Sequence, residues 1–344
     1  MRVAIVNDSA LATEALRRVI AADPRHTIAW AARDGDEAVR RCAVDRPDVV
    51  LMDLVMPVLD GAEATRLIMQ RCPCAVLVVT STVAGHFDLV CQALSYGAYD
   101  AVTTPVLGGL PAVRAGAELL AKLERVDRVN RHLGAGAAVA AAAAALPAEE
   151  APSPAAAPAP VPLVAVGAST GGPAALKAIL AHWPATFPAA VVIAQHIAPD
   201  FAGSLADWLD EHSALAVRLA LPGDRPEAGV ALIANGAEHL VLAANRCWTY
   251  SAEPRECPFQ PSVDALFRSL AAHWPWPAVA VLLTGIGRDG AEGLLELRHK
   301  GWHTVAQDEA TSVVYGMPQA ARQLGAARHV LPLDSISAHV AERV

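Results

Sequence analysis

The sequence predicts two α/β domains, each a parallel sheet covered by helices on both faces, joined by an Ala/Pro-rich tether. Three observations predict this. Near-continuous apolar, β-branched runs alternate with helix-length stretches in both halves, as strands buried on two faces require. Polar residues able to do chemistry fall just after those runs, where doubly wound sheets gather ligands. Between the halves, residues 134–162 are almost entirely Ala, Gly and Pro, which cannot assemble a packed core. The expected organisation is therefore a first domain at 1–125, a linker at 126–161 and a second domain at 162–344.

A chain of 344 residues with 54% hydrophobic and 18% charged residues is globular, and long enough for two real cores. Alanine inflates the apolar fraction. The blandest run, 134–146, falls short of the ~20 residues a spanning helix needs, so no membrane insertion is expected. Asn7 and Asp8 interrupt the first apolar run before a secretory core can form, which places the chain in the cytoplasm. Six cysteines show no paired C-x-x-C spacing; Cys72-Pro73-Cys74 is the only close pair, and all six are expected as reduced thiols. A net charge of −8 without a basic block argues against nucleic acid as a partner.

In the first domain, Val3 to Val6, Thr27 to Ala31, Val49 to Met52, Ala75 to Val79 and Ala98 to Val102 read as five strands. Asn7-Asp8 follow the first and Asp53 the third, giving a small oxygen-donor site suited to Mg²⁺ and phosphate oxygens. Helix-cap or solvated-loop roles for Asp8 and Asp53 are the alternative. Asp53-Leu54-Val55-Met56-Pro57-Val58-Leu59-Asp60-Gly61 closely resembles the D-x-x-M-P-x-x-D-G segment of response-regulator receiver domains. The resemblance implies a flavodoxin-like (βα)5 domain, phosphorylation of Asp53 by a histidine kinase, Mg²⁺ held by Asn7, Asp8, Asp53 and the Val55 carbonyl, and Thr80 reading the phosphoryl group. Two residues depart from the pattern. Asn7 stands where most receivers carry an acid, and Thr104 stands before Pro105 where a lysine is expected. No lysine precedes Lys122, and threonine offers phosphate only a neutral hydrogen bond. Asp53 is still expected to react, with an unusual phosphoryl lifetime or conformational response.

The pattern from Ala117 to Arg128 is helical and completes the first domain before the tether. Beyond the tether, the apolar run beginning Pro162-Leu163-Val164 has strand length and meets Gly167-Ala168-Ser169-Thr170-Gly171, a G-x-S-x-G turn, and then a helix with Pro173 in its first turn. Such a turn exposes a serine hydroxyl above the sheet; the same turn also closes loops or cradles phosphate. Ala189 to Gln195 gives a strand ending at His196, and Trp276 to Leu283 a strand followed by Thr284-Gly285-Ile286-Gly287-Arg288-Asp289-Gly290. One sheet edge can thus bring Ser169, His196 and Asp289 together as nucleophile, base and orienting acid. The alternative for Asp289 is an N-cap ahead of the helix Ala291 to His299.

These segments, with Gln195-His196-Ile197-Ala198-Pro199-Asp200-Phe201, Pro261-Ser262-Val263-Asp264 and Gly316-Met317-Pro318, resemble the catalytic domain of the CheB protein-glutamate methylesterases. The resemblance implies a second doubly wound α/β domain with a mainly parallel sheet, and a cytoplasmic, phosphorylation-regulated hydrolase acting in chemosensory adaptation. Its substrates would be γ-methyl glutamate esters, and probable glutamine deamidation sites, on a methylated chemoreceptor. Ser169 is the implied nucleophile, His196 the base, Asp289 the orienting carboxylate and the Ile286 backbone N–H the oxyanion donor. The esterase chemistry needs no cofactor. Within the family, Asn7-Asp8, Thr104 and the Ala98 to Val102 context look most like the Wsp surface-sensing branch. The unphosphorylated receiver is expected to cover the Ser169 cleft. The competing expectation is a phosphoacceptor or scaffold protein with a catalytically minor receptor-binding domain.

Overall fold

The computed structural model describes residues 1–81, 87–105, 110–135, 161–255, 257 and 259–344. The chain divides into two compact units, Met1–Val139 and Ala140–Val344. Most of the expected tether, residues 136–160, lies outside the described residues.

The first unit runs β1 (Arg2–Val6), α1 (Ala10–Ala21), β2 (Thr27–Ala32), α2 (Gly35–Val44), β3 (Val49–Met52), α3 (Gly61–Arg71), β4 (Ala75–Thr80), α4 (Phe87–Ser95), β5 (Asp100–Thr103) and α5 (Leu110–Ala135). Its strands pair in parallel in the order β2-β1-β3-β4-β5. The five expected strands are all present, because each is an apolar run that the helices bury; Val3 to Val6 and Val49 to Met52 are fully enclosed. The last strand begins at Asp100 rather than Ala98, since the Ala98 N–H donates back to Ala93 and closes the end of α4. Short polar side chains start the helices: Ser9, Asp34 and Asp60 each accept a backbone N–H from the first turn of α1, α2 and α3. Helix α5 continues past position 125 to Ala135, into the stretch assigned to the linker.

The second unit runs β6 (Leu163–Ala168), α6 (Gly172–Leu180), β7 (Ala190–Gln195), α7 (Pro199–Glu211), β8 (Ala216–Leu219), β9 (Val230–Ile233), β10 (His239–Leu242), β11 (Trp248–Ser251) and α8 (Val263–His273). It continues with β12 (Val279–Leu282), α9 (Ala291–His299), β13 (His303–Gln307), α10 (Met317–Gln323), β14 (His329–Leu331) and α11 (Leu333–Ala341). Seven strands form one parallel sheet, β14-β13-β12-β6-β7-β9-β8, and β10 and β11 pair separately as an antiparallel hairpin. No helix among the described residues is long and apolar enough to cross a membrane.

Both sheets reverse their winding direction once. In the first unit the chain leaves β1 toward β2 and returns to place β3 on its other side; in the second it leaves β6 toward β7 and returns to place β12 on the other side. Crevices outside the carboxyl ends of strands open at such reversals, so each unit has one favoured place for a ligand.

Candidate active site

In the second unit the favoured place lies between the ends of β6 and β12. Ser169 is the first residue after β6, His196 the first after β7, and Asp289 lies on the loop after β12. Ala168 pairs with Gln195, and the His196 N–H donates to the Ala168 carbonyl at 3.0 Å, so strand register sets serine and histidine side by side. The Ser169 N–H donates to Thr284 O at 3.0 Å and ties the serine turn to the end of β12.

The turn is crowded. Gly171 has φ +79, which a side chain rarely adopts, and a Cβ there would meet Val313 at 2.7 Å. A Cβ on Gly285 would fall 2.6 Å from the Ser169 Cβ and 2.3 Å from Met317 Sδ. These small residues let the serine backbone approach its neighbours closely. The buried Gln195 amide fixes the turn from below, donating to the Ser169 carbonyl at 2.9 Å and the His196 carbonyl at 3.0 Å.

His196 and Asp289 form a buried pair, Nε2 to Oδ2 at 2.7 Å. An ionised carboxylate only accepts, so Nε2 carries the hydrogen and Nδ1 of the neutral ring holds the lone pair. Nδ1 is buried and makes no hydrogen bond. The ring is thus turned end for end relative to triads in which the acid holds Nδ1. The Ser169 hydroxyl and Nδ1 are not hydrogen-bonded to each other; nucleophile–base contacts are often long without substrate and tighten when it binds. Phe259 stacks on the imidazole with ring centres 4.4 Å apart and planes within 3°, a positioning contact that no sequence pattern flagged.

Asp289 does not cap the helix that follows it. The N-cap of α9 is Gly290, with no side-chain cap bond. The carboxylate instead receives the N-terminus of α8: the Ser262 hydroxyl at 2.9 Å and Asp264 N–H at 3.1 Å on Oδ1, and Val263 N–H at 2.7 Å on Oδ2. Leu266, Phe267 and Leu270 are fully buried, each worth about 1.5–3 kcal/mol, and hold that helix end in place. Burial opposes ionisation of Asp289, but the His196 hydrogen bond and charge, with the Val263 and Asp264 N–H groups, outweigh it and hold the carboxyl below its ordinary range. The Pro261-Ser262-Val263-Asp264 segment is therefore the cradle of the acid.

Beside it, Asp264 accepts the Gly293 N–H at 2.6 Å and borders a cavity of about 520 Å³ that also reaches Arg268 and Asp289. Burial, then the charge of Asp289, push its carboxyl up to about 6. An acid with a raised folded pKa costs stability once it ionises. The cost is absent near pH 4, grows through pH 6 and is complete above it. Asp264→Asn is therefore expected to be more stable than the parent by about 1–3 kcal/mol at pH 8, with the gain fading by pH 4. Urea denaturation at the two pH values checks this.

The backbone leading into Ile286 is held by hydrogen bonds. The Gly285 N–H donates to Val314 O, and the Gly316 and Met317 N–H groups both donate to Gly285 O, whereas Ile286 N–H meets no acceptor among the described residues. Arg288 is exposed and pairs with Glu292 at 3.4 Å.

The first unit assembles its candidate site along the carboxyl edge of β1, β3, β4 and β5, which carry Asn7-Asp8, Asp53, Thr80 and Thr104 in that spatial order. Asp53 N–H donates to Val6 O at 2.9 Å, and Thr104 N–H to Thr80 O at 2.9 Å. Asp8 is exposed and Asp53 half-buried, as carboxylates open to a hydrated cation should be. Asn7 is buried, and its Oδ1 accepts the Ser9 N–H at 2.8 Å, so this side chain mainly starts α1. Lys122 does not take the place of the missing lysine: its Nζ donates to Asp100 Oδ2 at 2.6 Å and Ala101 O at 2.7 Å, where β5 begins, at the opposite edge of the sheet.

The family model for CheB methylesterase matches residues 164–340, and that for the response regulator receiver domain matches residues 3–108. A protein-glutamate methylesterase/protein-glutamine glutaminase 1 of Bordetella avium is 52% identical over 98% of this chain and 95% of its own. A protein-glutamate methylesterase/protein-glutamine glutaminase 3 of Pseudomonas aeruginosa is 47% identical over 99% of both. The crystal structure of the Thermotoga maritima CheB methylesterase catalytic domain is 35% identical with a TM-score of 0.52, covering 54% of this chain and 100% of that one.

Proposed function

Because this chain belongs to the CheB methylesterase family, with a response-regulator receiver domain ahead of the catalytic domain, we propose that Ser169, His196 and Asp289 hydrolyse γ-methyl glutamate esters on the cytoplasmic helices of a methylated chemoreceptor. The observation that carries this reading is the buried His196–Asp289 pair, whose Nδ1 meets no partner among the described residues and whose histidine follows the strand beside the one that leads to Ser169. Ser169 Oγ attacks the ester carbonyl as Nδ1 takes its proton, and Nε2–H stays on Asp289, which stabilises the imidazolium. The oxyanion lies against the Ile286 N–H, a contact worth about 3–4 kcal/mol in hydrolases of this kind. Collapse breaks the bond to the methoxy group, which leaves as methanol with the proton from His196. Water, deprotonated by the same nitrogen, then releases glutamate from the acyl-enzyme. With a glutamine side chain the leaving group is ammonia.

Control rests with Asp53 as phosphoacceptor from a histidine kinase. The Asn7 Oδ1, which also accepts the Ser9 N–H, with the Asp8 and Asp53 carboxylates and the Val55 carbonyl, is an all-oxygen donor set that fits Mg²⁺, which would neutralise charge on the phosphoryl oxygens. Thr80 and Thr104 offer hydroxyls to the phosphoryl group. Phosphorylation of Asp53 raises the esterase rate. Methanol release from methylated receptor membranes tests the reading: the full chain is expected to gain activity with a phosphodonor, and a 162–344 fragment to be active without one. Equal rates for the full chain and the fragment would remove the regulatory role.

A further inference from the structure

At the opposite rim of the catalytic sheet, away from Ser169, three histidines converge. His303 is the first residue of β13, His329 the first of β14, and His339 lies in the last turn of α11. Val305 pairs with His329, so His303, two residues earlier, projects from the same face, and α11 packs over it. The ring centres stand 4.8, 5.0 and 4.7 Å apart, a nearly equilateral triangle. One ligand nitrogen from each ring lies within 4.8 Å of the others. All three side chains are half-buried, so the cluster is open to small solutes.

His303 Nε2 and His339 Nε2 face each other at 2.8 Å. Two neutral imidazoles meeting nitrogen to nitrogen share one proton. A cation in its place accepts a lone pair from each ring and from His329. Zinc–nitrogen bonds of about 2.0–2.1 Å at tetrahedral angles set ring centres about 5 Å apart and nitrogens about 3.3 Å apart. The triangle already meets the first requirement; to meet the second, the 2.8 Å pair opens by about half an ångström and the His329 nitrogen, within 4.8 Å of both, closes on them.

Arg343 and Arg328 stand near the cluster. The same arginines repel a cation, which Glu342 partly offsets; the Arg343 guanidinium is held on the His339 carbonyl at 2.6 Å and on Glu342 at 3.3 Å. An all-imidazole set favours borderline ions such as Zn²⁺ over Mg²⁺, so it does not compete for the hard cation of the receiver.

We propose that His303, His329 and His339 form a Zn²⁺ site that pins the C-terminal helix α11 to the sheet edge, leaving a fourth position for water. It is tested on the full chain with zinc alone as the probe, titrated against a chromophoric chelator with Mg²⁺ in excess. One equivalent per chain is expected, with a rise in Tm. His329→Gln and, separately, His339→Asn are expected to weaken binding by at least about tenfold and to abolish the Tm rise. Co²⁺ substitution is expected to show visible d–d bands without a near-ultraviolet thiolate band, which separates this site from the cysteines. No bound equivalent, wild-type affinity in both variants, or a thiolate band would overturn the proposal.

Discussion

Ser169→Ala is expected to lower methanol release from methylated receptor by at least about 10⁴-fold while Asp53 is still labelled by a phosphodonor. The hydroxyl is the group that forms the acyl bond in the proposed mechanism, and water lacks its placement beside the imidazole. The side chain is small and buried, so alanine fits where serine stood and leaves the turn intact. The turn is fixed through the Ser169 backbone, whose N–H donates to Thr284 O and whose carbonyl accepts the Gly172 N–H and the Gln195 side-chain amide, none of which the substitution touches. Folding and phosphorylation are therefore expected to be unchanged. That dissociation separates a hydrolase from a phosphoacceptor scaffold, which would lose nothing. Residual methanol release near the parent rate, measured with equal receptor binding, would remove Ser169 as nucleophile.

Asp289→Asn is expected to lower turnover by about 10⁴-fold and, unlike the serine change, to cost about 1–3 kcal/mol of stability. The carboxylate accepts two hydrogen bonds on each oxygen. An amide replaces one oxygen with a donor. Placed toward His196, the new NH₂ forces Nε2 to accept, moves the proton to Nδ1 and removes the base, while it also faces the Val263 N–H. Placed the other way, it preserves the tautomer but confronts the Asp264 N–H. Either orientation leaves two donors in contact at the start of α8. Turnover in the methanol assay and the urea midpoint check the two effects. An active, fully stable variant would show that neither role belongs to Asp289.

Much of this was legible along the chain. The β1, β3, β6, β7 and β12 strands were readable because burial on both faces demands unbroken apolar runs, and the residues at their carboxyl ends are where such sheets place chemistry. Ser169, His196 and Asp53 follow from that rule together with short motifs. Phe259 and the three edge histidines carry no comparable local signal. A stacked aromatic ring reads as a loop residue, and histidines on three separate elements are only scattered positions until the sheet closes.

The sequence by itself determined two parallel α/β domains, a small-residue turn around Ser169 and an aspartate at the end of the third strand, because each depends on periodicity or on residues adjacent along the chain. Only the tertiary structure decided which helix Asp289 serves, which imidazole nitrogen is left to act as base, that Lys122 is fixed at the wrong edge for phosphate, and that His303, His329 and His339 meet. Those outcomes depend on strand order and side-chain direction across long separations, and a hydrogen bond or ligand set exists only once both partners have been brought within about 3 Å.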